Sequence, residues 1–511
     1  MILAQTKKGY GMGTAAQGKM AAHQAKKLED DTLLAFRDRF ALPLSDADVH
    51  DLRFYQPAAD SPEMKYLHAR RQALGGYVPI RAPKGPVLPV PALESFARLL
   101  EGTGDREQST TMVFVNMLSQ LLRDKTLGKH IVPIVADEAR TFGMQSLFRQ
   151  VAIYSPHGQL YEPEDKDELL YYKEAKDGQI LEEGITEAGA ISSWIAAATS
   201  YSAHGVPMLP FYVFYSCFGF QRIGDLVWSA GDSRARGFLL GATAGRTTLS
   251  GEGLQHEDGS SHLLFATVPN CIAYDPAFGY ELTVIIRDGM RRMLEDQEDV
   301  FYYITVMNEN YAHPAIPAGA EEGILKGMYR IREGRGTRGE GRGSKQTPQV
   351  QLLGAGTILR EVLAAADLLE SDWNISADVW SVTSFTELRR DGIGVERHNR
   401  LHPVGDQKQS WVERCLGQTS GPVIAASDYM RTVADLIRNW VPRRYVALGT
   451  DGYGRSDTRA ALRDFFEVDR SHIAVAALKA LADEGAIEAK TVQQAIDKYA
   501  IGANRPNPWE V

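Results

Sequence analysis

Three patterns are scarce in this chain, and each absence excludes a class of protein. Only three cysteines occur among its 511 residues, without paired spacing, which argues against a disulfide framework and a cysteine-based zinc site. No stretch reaches the ~18 to 20 consecutive apolar residues of a membrane-spanning helix, and the first residues lack a signal-peptide pattern. The sequence therefore predicts a soluble protein of the reducing cytoplasm, without a membrane partner.

Concentrated positive charge is also missing. The formal net charge is -9, whereas binding to a phosphate backbone requires clustered lysine and arginine. Residues 332–345 are rich in arginine and glycine, but Glu333 and Glu340 dilute their charge. We interpret this segment as a flexible, solvated linker rather than a nucleic-acid-binding tail, and we expect no nucleic-acid partner.

The organisation that is present is an alternation of helical stretches with short apolar runs. Prolines at 79, 83, 86, 89 and 91 cannot donate to helix or sheet ladders, so they predict an extended linker. Beyond it, two series of apolar runs predict parallel sheets covered on both faces. The runs are HIVPIVADE, PMLPFYVFYS, GFLLGATA, NCIAYDPA and VFYYITVMN, then QVQLLG, ADVWSVTSF, PVIAASDY and RYVALGT. The sequence predicts an α/β fold.

The predicted domain boundaries follow from these changes in pattern. Two parallel-sheet domains come after a region with little core of its own. The ranges are 1–76 for the first region, 77–91 for the linker, 92–320 for the first sheet domain, 321–348 for a second linker and 349–511 for the second sheet domain.

The N-terminal stretch MILAQTKKGYGMGTAAQGKMAAHQAKK begins with residues of strand type at 1–6. Glycines at 9, 11, 13 and 18 make the following backbone easy to rearrange, and lysines keep it solvated. We predict a mobile loop leading into a helical stretch that contains His23. From the residues alone, His23 is a solvated histidine with no function.

Glu187 stands early in an otherwise apolar helical segment, EEGITEAGAISSWIAAATS. A carboxylate there favours the helix N-terminal dipole. The alternative is a desolvated carboxyl group with a raised pKa that shares a proton with a ring nitrogen. The pattern leaves both interpretations open.

Strand ends and loops supply the other candidates. Asp137 and Glu138 end a predicted strand, where parallel sheets place ligand-binding residues and where acids also cap turns. An aromatic run from 211 to 220 is core by default, although some rings could stack on a heterocycle. His256 lies in a glycine-punctuated polar loop, where a role in proton transfer or in gripping a carboxylate is favoured over metal binding.

Three long motifs now indicate a family. VADEARTFGMQSLFRQVAIYSPHGQLYEP, FGFQRIGDLVWSAGDSRARGFLLGATAGRTTLSGEGLQHEDG and SVTSFTELRRDG resemble the homodimeric bacterial pyruvate dehydrogenase decarboxylating component. That family consists of thiamine diphosphate enzymes with transketolase-like domains. The resemblance implies that the two sheet domains are a pyrimidine-binding and a C-terminal domain, after a truncated remnant of a diphosphate-binding domain.

The resemblance also implies residue roles. Glu187 matches the glutamate that hydrogen-bonds the cofactor's aminopyrimidine and promotes ionisation of the thiazolium carbon. Phe218 matches the ring that stacks on the pyrimidine, with Tyr215 beside it. The remaining matches are Asp137 and Glu138 as acids lining the pocket, His256 as a histidine facing the substrate, and Lys8 and His23 on mobile active-site loops.

The chain departs from the family in the metal-binding part. It contains neither the Gly-Asp-Gly motif nor the adjacent asparagines that bind magnesium and the diphosphate, so we expect those ligands upstream and residues 1–6 to be the last strand of that domain. The resemblance implies decarboxylation of pyruvate, acetyl transfer to a lipoyl-bearing acetyltransferase and homodimerisation, with the isolated chain inactive. The alternatives are a non-catalytic dimerisation or regulatory fragment, or a relative of 2-oxoglutarate dehydrogenase or transketolase.

Overall fold

The chain forms two compact units, Met1–Ile80 and Arg81–Val511. The structure, a computed structural model, describes residues 2–24, 27–77, 81–136, 139–335 and 347–511. Each unit is described by itself below.

The N-terminal unit consists of short helices. They are α1 (Gly13–Ala16), α2 (Asp30–Arg39), α3 (Asp46–His50) and α4 (Pro62–Ala73), with a 3₁₀ turn at Met20–His23. The side chains of Ser45 and Ser61 cap α3 and α4. The strand expected at residues 1–6 is wrong for the described part of it: residues 2–6 are exposed and form no strand, because no ladder partner pairs with them there.

The four loop glycines of this unit have a geometric purpose. Gly9, Gly11, Gly13 and Gly18 all have positive φ values, between 56° and 93°, which side-chain-bearing residues rarely adopt. The amide of Gly18 donates to the carbonyl of Lys8 at 2.8 Å and closes the loop. The glycine pattern therefore sets the shape of the loop, and its mobility stays a prediction.

The first part of the larger unit surrounds a parallel sheet. Within the described residues, six parallel strands lie in the order β5, β2, β6, β7, β9, β8. These strands are β2 (Ile131–Val135), β5 (Leu181–Glu182), β6 (Leu209–Phe214), β7 (Phe238–Gly241), β8 (Cys271–Tyr274) and β9 (Phe301–Thr305). The small pairs are β1 (Glu107–Gln108) with β10 (Tyr311–Ala312), and β3 (Ile153–Tyr154) with β4 (Glu174–Ala175).

Helices surround this sheet. They are α5 (Ala97–Leu100), α6 (Thr110–Leu121), α7 (Gln145–Gln150), α8 (Glu187–Ala198), α9 (Ser200–His204), α10 (Gly219–Asp232), α11 (Ser261–Phe265), α12 (Gly279–Met290) and α13 (Glu321–Lys326). Two separate clusters of buried apolar side chains involve the strands of the sheet, and helices contribute to both, as predicted for a sheet covered on both faces.

The C-terminal part contains a second sheet. In the described residues its order is β11, β13, β12, β14, β15, with only β11 antiparallel. The strands are β11 (Met328–Arg332), β12 (Gln349–Gly354), β13 (Ser376–Val382), β14 (Val423–Ala426) and β15 (Tyr445–Leu448). Its helices are α14 (Ile358–Trp373), α15 (Phe385–Leu401), α16 (Trp411–Leu416), α17 (Arg431–Asp435), α18 (Arg459–Phe465), α19 (Arg470–Asp483) and α20 (Ala489–Lys498).

The α/β prediction is confirmed, and all nine predicted apolar runs contain strands. The antiparallel edge strand β11 was not predicted. It lies, with α13, inside the range that the sequence assigned to a linker, 321–348. Among the described residues, no helix combines the length and the apolar character that crossing a bilayer would require.

Trp194 anchors α8 to the sheet. It is fully buried, its indole N–H donates to the carbonyl of Phe238 at 3.0 Å, and its ring centroid lies 5.7 Å from that of Phe301. Glu187 is the first residue of α8, so the packing of Trp194 also fixes the position of Glu187 relative to the sheet.

We expect Trp194→Ala to lower the free energy of unfolding by ~3–5 kcal/mol, since it removes a large buried ring and leaves a cavity. Urea denaturation followed by circular dichroism measures the change. Trp509→Ala is the control, because Trp509 is 52% exposed and its removal should cost less than ~0.5 kcal/mol. Equal effects of the two substitutions would contradict the anchoring role.

Candidate active site

The candidate site lies at the carboxyl end of the six-stranded sheet. The segments that follow β2, β6 and β7 start side by side, because these strands are neighbours in the sheet. The edge strand β5 leads through residues 183–186 into α8. Parallel sheets place ligand-binding residues at this edge, and the chain brings four of the predicted site residues to it.

Glu187 is the first residue of α8. Thr186 caps the helix, and its side chain accepts a hydrogen bond from the amide of Gly189 at 3.3 Å. The Glu187 side chain is only 15% exposed, and its Oε1 accepts a hydrogen bond from the guanidinium of Arg222 on α10. The carboxylate therefore has a specific side-chain partner in addition to the helix dipole.

Aromatic rings form the wall beside this carboxylate. We call Phe142, Tyr215, Phe218 and His256 the ring cluster. The centroid of Tyr215 lies 5.3 Å from Phe142, 5.9 Å from Phe218 and 4.8 Å from His256, and Phe218 lies 5.1 Å from His256. The prediction that some of the aromatic run forms a wall rather than core is consistent with this division: Tyr215 and Phe218 are half-buried.

A tight turn places Phe218 at this position. Phe218 immediately precedes α10, and its amide donates to the carbonyl of Tyr215 at 2.9 Å. Gly219 permits the turn, because a Cβ there would lie 2.2 Å from the ring of Phe214. The neighbouring thiol of Cys217 is half-buried, and burial raises its pKa to about 11, which disfavours the thiolate at neutral pH.

Arg222 completes the arrangement. Its guanidinium carbon lies 4.0 Å from the centroid of the Phe218 ring while the same group donates to Glu187. A flat, nitrogen-bearing cation thus stacks on Phe218 and bonds the carboxylate of Glu187 at the same time. The Arg222 side chain is 48% exposed, so it can leave this position without unpacking the core.

The loop that carries His256 is anchored to the C-terminal part of the chain. Asp428, after β14, is fully buried. Asp428 Oδ1 accepts hydrogen bonds from the amide of Thr247 at 2.8 Å and from the Thr247 hydroxyl at 2.6 Å. Asp428 Oδ2 accepts from the amide of Thr248 at 3.1 Å and from the Thr248 hydroxyl at 2.5 Å. Burial raises the pKa of the Asp428 carboxyl, and these donors oppose the rise.

The remaining predicted residues lie elsewhere or outside the described ranges. Asp137 and Glu138 lie outside the described residues, between buried Ala136 and Ala139. Lys8 and His23 belong to the N-terminal unit, where both side chains are exposed and His23 ends the 3₁₀ turn. The roles of these four residues stay predictions.

The side chains present fit the ring half of the implied cofactor, thiamine diphosphate. The position of Arg222 shows that a flat nitrogen-bearing group can stack on Phe218 and bond Glu187, which an aminopyrimidine requires. The sequence lacks the motif for its diphosphate and magnesium. One group of potential metal ligands, Asp464, Asp469 and His472, occurs among the described residues, but Arg505 already donates to Asp464 at 2.6 Å and lies 3.2 Å from His472.

Two contributors were missed from the sequence. Arg222 had no distinguishing signal, because its partner Glu187 is 35 residues away in the chain. Asp428 follows a predicted strand end, as Asp137 does, and that position could have marked it.

Comparison with solved structures shows the fold. The transketolase of Campylobacter jejuni superposes with a TM-score of 0.58 at 14% identity, covering 92% of this chain and 61% of that one. A transketolase from Pichia stipitis gives a TM-score of 0.56 at 15% identity, covering 94% and 62%. The two sheet domains are therefore transketolase-like in fold.

Comparison of sequences shows the family. Residues 88–314 match the pyruvate dehydrogenase E1 component middle domain, and residues 327–469 match the transketolase-like C-terminal domain. The chain is 62% identical, over all of its length, to the pyruvate dehydrogenase E1 component of Pseudomonas aeruginosa, and 53% identical over 99% of its length to that of Escherichia coli K12. It spans 57% and 56% of the length of these two relatives. The chain belongs to the family of the pyruvate dehydrogenase E1 component.

Proposed function

We propose that this chain supplies the aminopyrimidine half of a thiamine diphosphate site in an enzyme that oxidatively decarboxylates pyruvate and transfers the acetyl group to a lipoyl group. The observation that carries the proposal is the position of Arg222. Its flat, nitrogen-bearing guanidinium lies over the ring of Phe218 and bonds the carboxylate of Glu187. A planar ring with a hydrogen-bonding nitrogen can make the same two contacts.

The chain's own residues have distinct tasks in this proposal. Bound thiamine diphosphate supplies the electron sink that loss of carbon dioxide from a 2-oxo acid requires. Glu187 holds a proton at its carboxyl oxygen and shares it with the ring nitrogen, while Phe218 orients the ring by stacking. Tyr215 and His256 exclude water, and His256 presents an imidazole that can hold a proton near the carboxylate of pyruvate.

The proposal extends to residues and partners for which the family resemblance is the support. Asp137 and Glu138 line the same pocket, Lys8 and His23 belong to loops that act at the lipoyl step, and magnesium with its diphosphate is bound by the region preceding this chain in the relatives. The enzyme works as a cytoplasmic homodimer with a lipoyl-bearing acetyltransferase.

A second function is favoured by one specific observation. The absence of the Gly-Asp-Gly motif and of paired asparagines would suit a non-catalytic dimerisation or regulatory fragment. The retention of Glu187, Phe218 and His256 in one arrangement disfavours it, because a scaffold requires none of them. Transketolase activity is disfavoured by 14–15% identity to the transketolases, against 53–62% to the E1 components.

The 511-residue chain alone should neither bind magnesium thiamine diphosphate tightly nor turn over pyruvate, because its sequence lacks the Gly-Asp-Gly motif and the paired asparagines that would hold the metal and the diphosphate. Isothermal titration calorimetry with the cofactor and magnesium tests this. Micromolar affinity of the isolated chain would contradict the division of the site into two halves.

In enzyme that also contains the preceding region of the relatives, we expect Glu187→Gln to lower the rate by ~10² to 10⁴ or more, the scale of an acid/base group. Exchange of the thiazolium proton in deuterated water is the direct measurement. Glu321→Gln is the matched control, since Glu321 is also the first residue of a helix but is exposed. If the exchange rate stays unchanged in Glu187→Gln, its carboxylate only stabilises the helix end.

The same enzyme tests His23. His23→Ala should leave decarboxylation with an artificial electron acceptor largely intact, but lower transfer to lipoyl domains by ~10² or more, because one general acid/base group is lost. His50→Ala, in the same unit and paired with Asp30 at 2.9 Å, is the control. Equal losses in both assays would place His23 before the lipoyl step, and no loss would leave it a solvated histidine.

A further inference from the structure

The ring of His256 is not held by a hydrogen bond at Nδ1. That atom is buried and has no hydrogen-bond partner among the described residues. An edge-on contact with Tyr215 and a tilted contact with Phe218 limit the tilt of the ring, but ring contacts are weakly directional. The position of the imidazole therefore depends on the backbone of its own loop.

In addition to Asp428, residues 450–459 of the C-terminal part hold this loop. A guanidinium nitrogen of Arg246 donates to the carbonyl of Thr450 at 2.8 Å. The amide of Gly251 donates to the carbonyl of Asp457 at 3.1 Å. A third contact involves Glu257, the residue that follows His256 in the sequence.

Glu257 is almost fully buried, with 3% of its surface exposed. Its Oε2 accepts a hydrogen bond from the backbone amide of Arg455 at 2.6 Å, while its buried Oε1 has no partner among the described residues. Gly454 permits this approach, because a Cβ there would lie 3.0 Å from both Cβ and Oε2 of Glu257 and 2.5 Å from the carbonyl oxygen of Leu254. Only glycine lets the two segments lie so close.

The charges around Glu257 decide when this contact is strong. Burial raises the pKa of its carboxyl to about 7; the Arg455 amide opposes the rise, Asp428 adds to it, and Arg246 and the Arg455 side chain oppose it. The folded state thus binds a proton more tightly than the unfolded chain does. The stability that protonated Glu257 contributes to the folded state is complete below the ordinary pKa of a glutamate. This contribution is lost as the pH rises through about 7.

We propose that Glu257 is a positioning residue for His256. Its hydrogen bond with the backbone amide of Arg455, made possible by the close approach at Gly454, holds the loop and thereby the imidazole in place. Its role in the reaction rests on the function proposed above, but the fastening itself does not. A protonated carboxyl keeps the loop attached, and an ionised one loosens it, because the charge has no compensating partner at Oε1.

Hydrogen–deuterium exchange of the 511-residue chain, read by mass spectrometry for peptides covering 246–262 and 450–459, tests the fastening without any cofactor. Corrected for intrinsic exchange, protection in the wild type should fall by up to about tenfold per pH unit above 7, as linkage requires. Glu257→Gln keeps the acceptor but cannot ionise, so its protection should stay constant from pH 6 to 8.5. Glu257→Ala and Gly454→Ala should lose about tenfold or more at every pH.

Glu252→Gln is the matched control, since it changes a glutamate of the same loop for which no hydrogen bond to the C-terminal part exists among the described residues. It should keep the wild-type pH dependence. A pH dependence in Glu257→Gln that equals that of the wild type, or full protection in both alanine variants, would overturn the proposal.

The complete enzyme provides the second readout. Glu257→Gln should keep wild-type turnover at pH 6.5 and lose less of it than the wild type between pH 7 and 8.5, whereas Glu257→Ala should lose about tenfold at all pH values. A residue that only stabilises the fold would lower the melting temperature without changing the pH profile, and that result would overturn the positioning role. Confirmed exchange results with no pyruvate turnover would count against the proposed function alone.

Discussion

The carboxylate of Asp428 accepts four hydrogen bonds from Thr247 and Thr248, and this buried contact joins the C-terminal sheet to the loop that carries His256. A buried carboxylate is costly unless its lone pairs are satisfied, so the contact tolerates little displacement of either side. Gly245, with φ +90°, brings the loop close enough, because a Cβ there would lie 2.1 Å from Asp428 Oδ2. The C-terminal domain thereby positions a candidate catalytic loop that belongs to the other domain.

The rest of the site follows from strand order. Neighbouring parallel strands end at one edge, so Tyr215, Phe218 and the His256 loop meet although they lie far apart in sequence. Arg222 fills the space over the ring of Phe218, and its guanidinium donates a hydrogen bond to the carboxylate of Glu187.

Apolar runs predicted the strands of the two sheets, because burial on both faces leaves a clear pattern in parallel strands. The pattern could not predict β11, whose MYRIR sequence is mixed in polarity and whose pairing depends on β13, some 50 residues later. Glu187 and Phe218 were assigned by resemblance, since their residue pattern also fits a helix end and a core. Arg222, Asp428 and Glu257 owe their positions to long-range contacts, which no local pattern records.

The fastening of the His256 loop has a consequence for the order in which the protein can mature. A chain emerging from the ribosome has all members of the ring cluster and α8 long before Asp428 and Arg455 are synthesised, and domains fold largely in N-to-C order. Until those residues arrive, Thr247, Thr248 and Glu257 lack the hydrogen bonds to Asp428 and Arg455 that the described residues show. The hydrogen bonds that hold this loop can therefore form only after residues 428–455 have been synthesised.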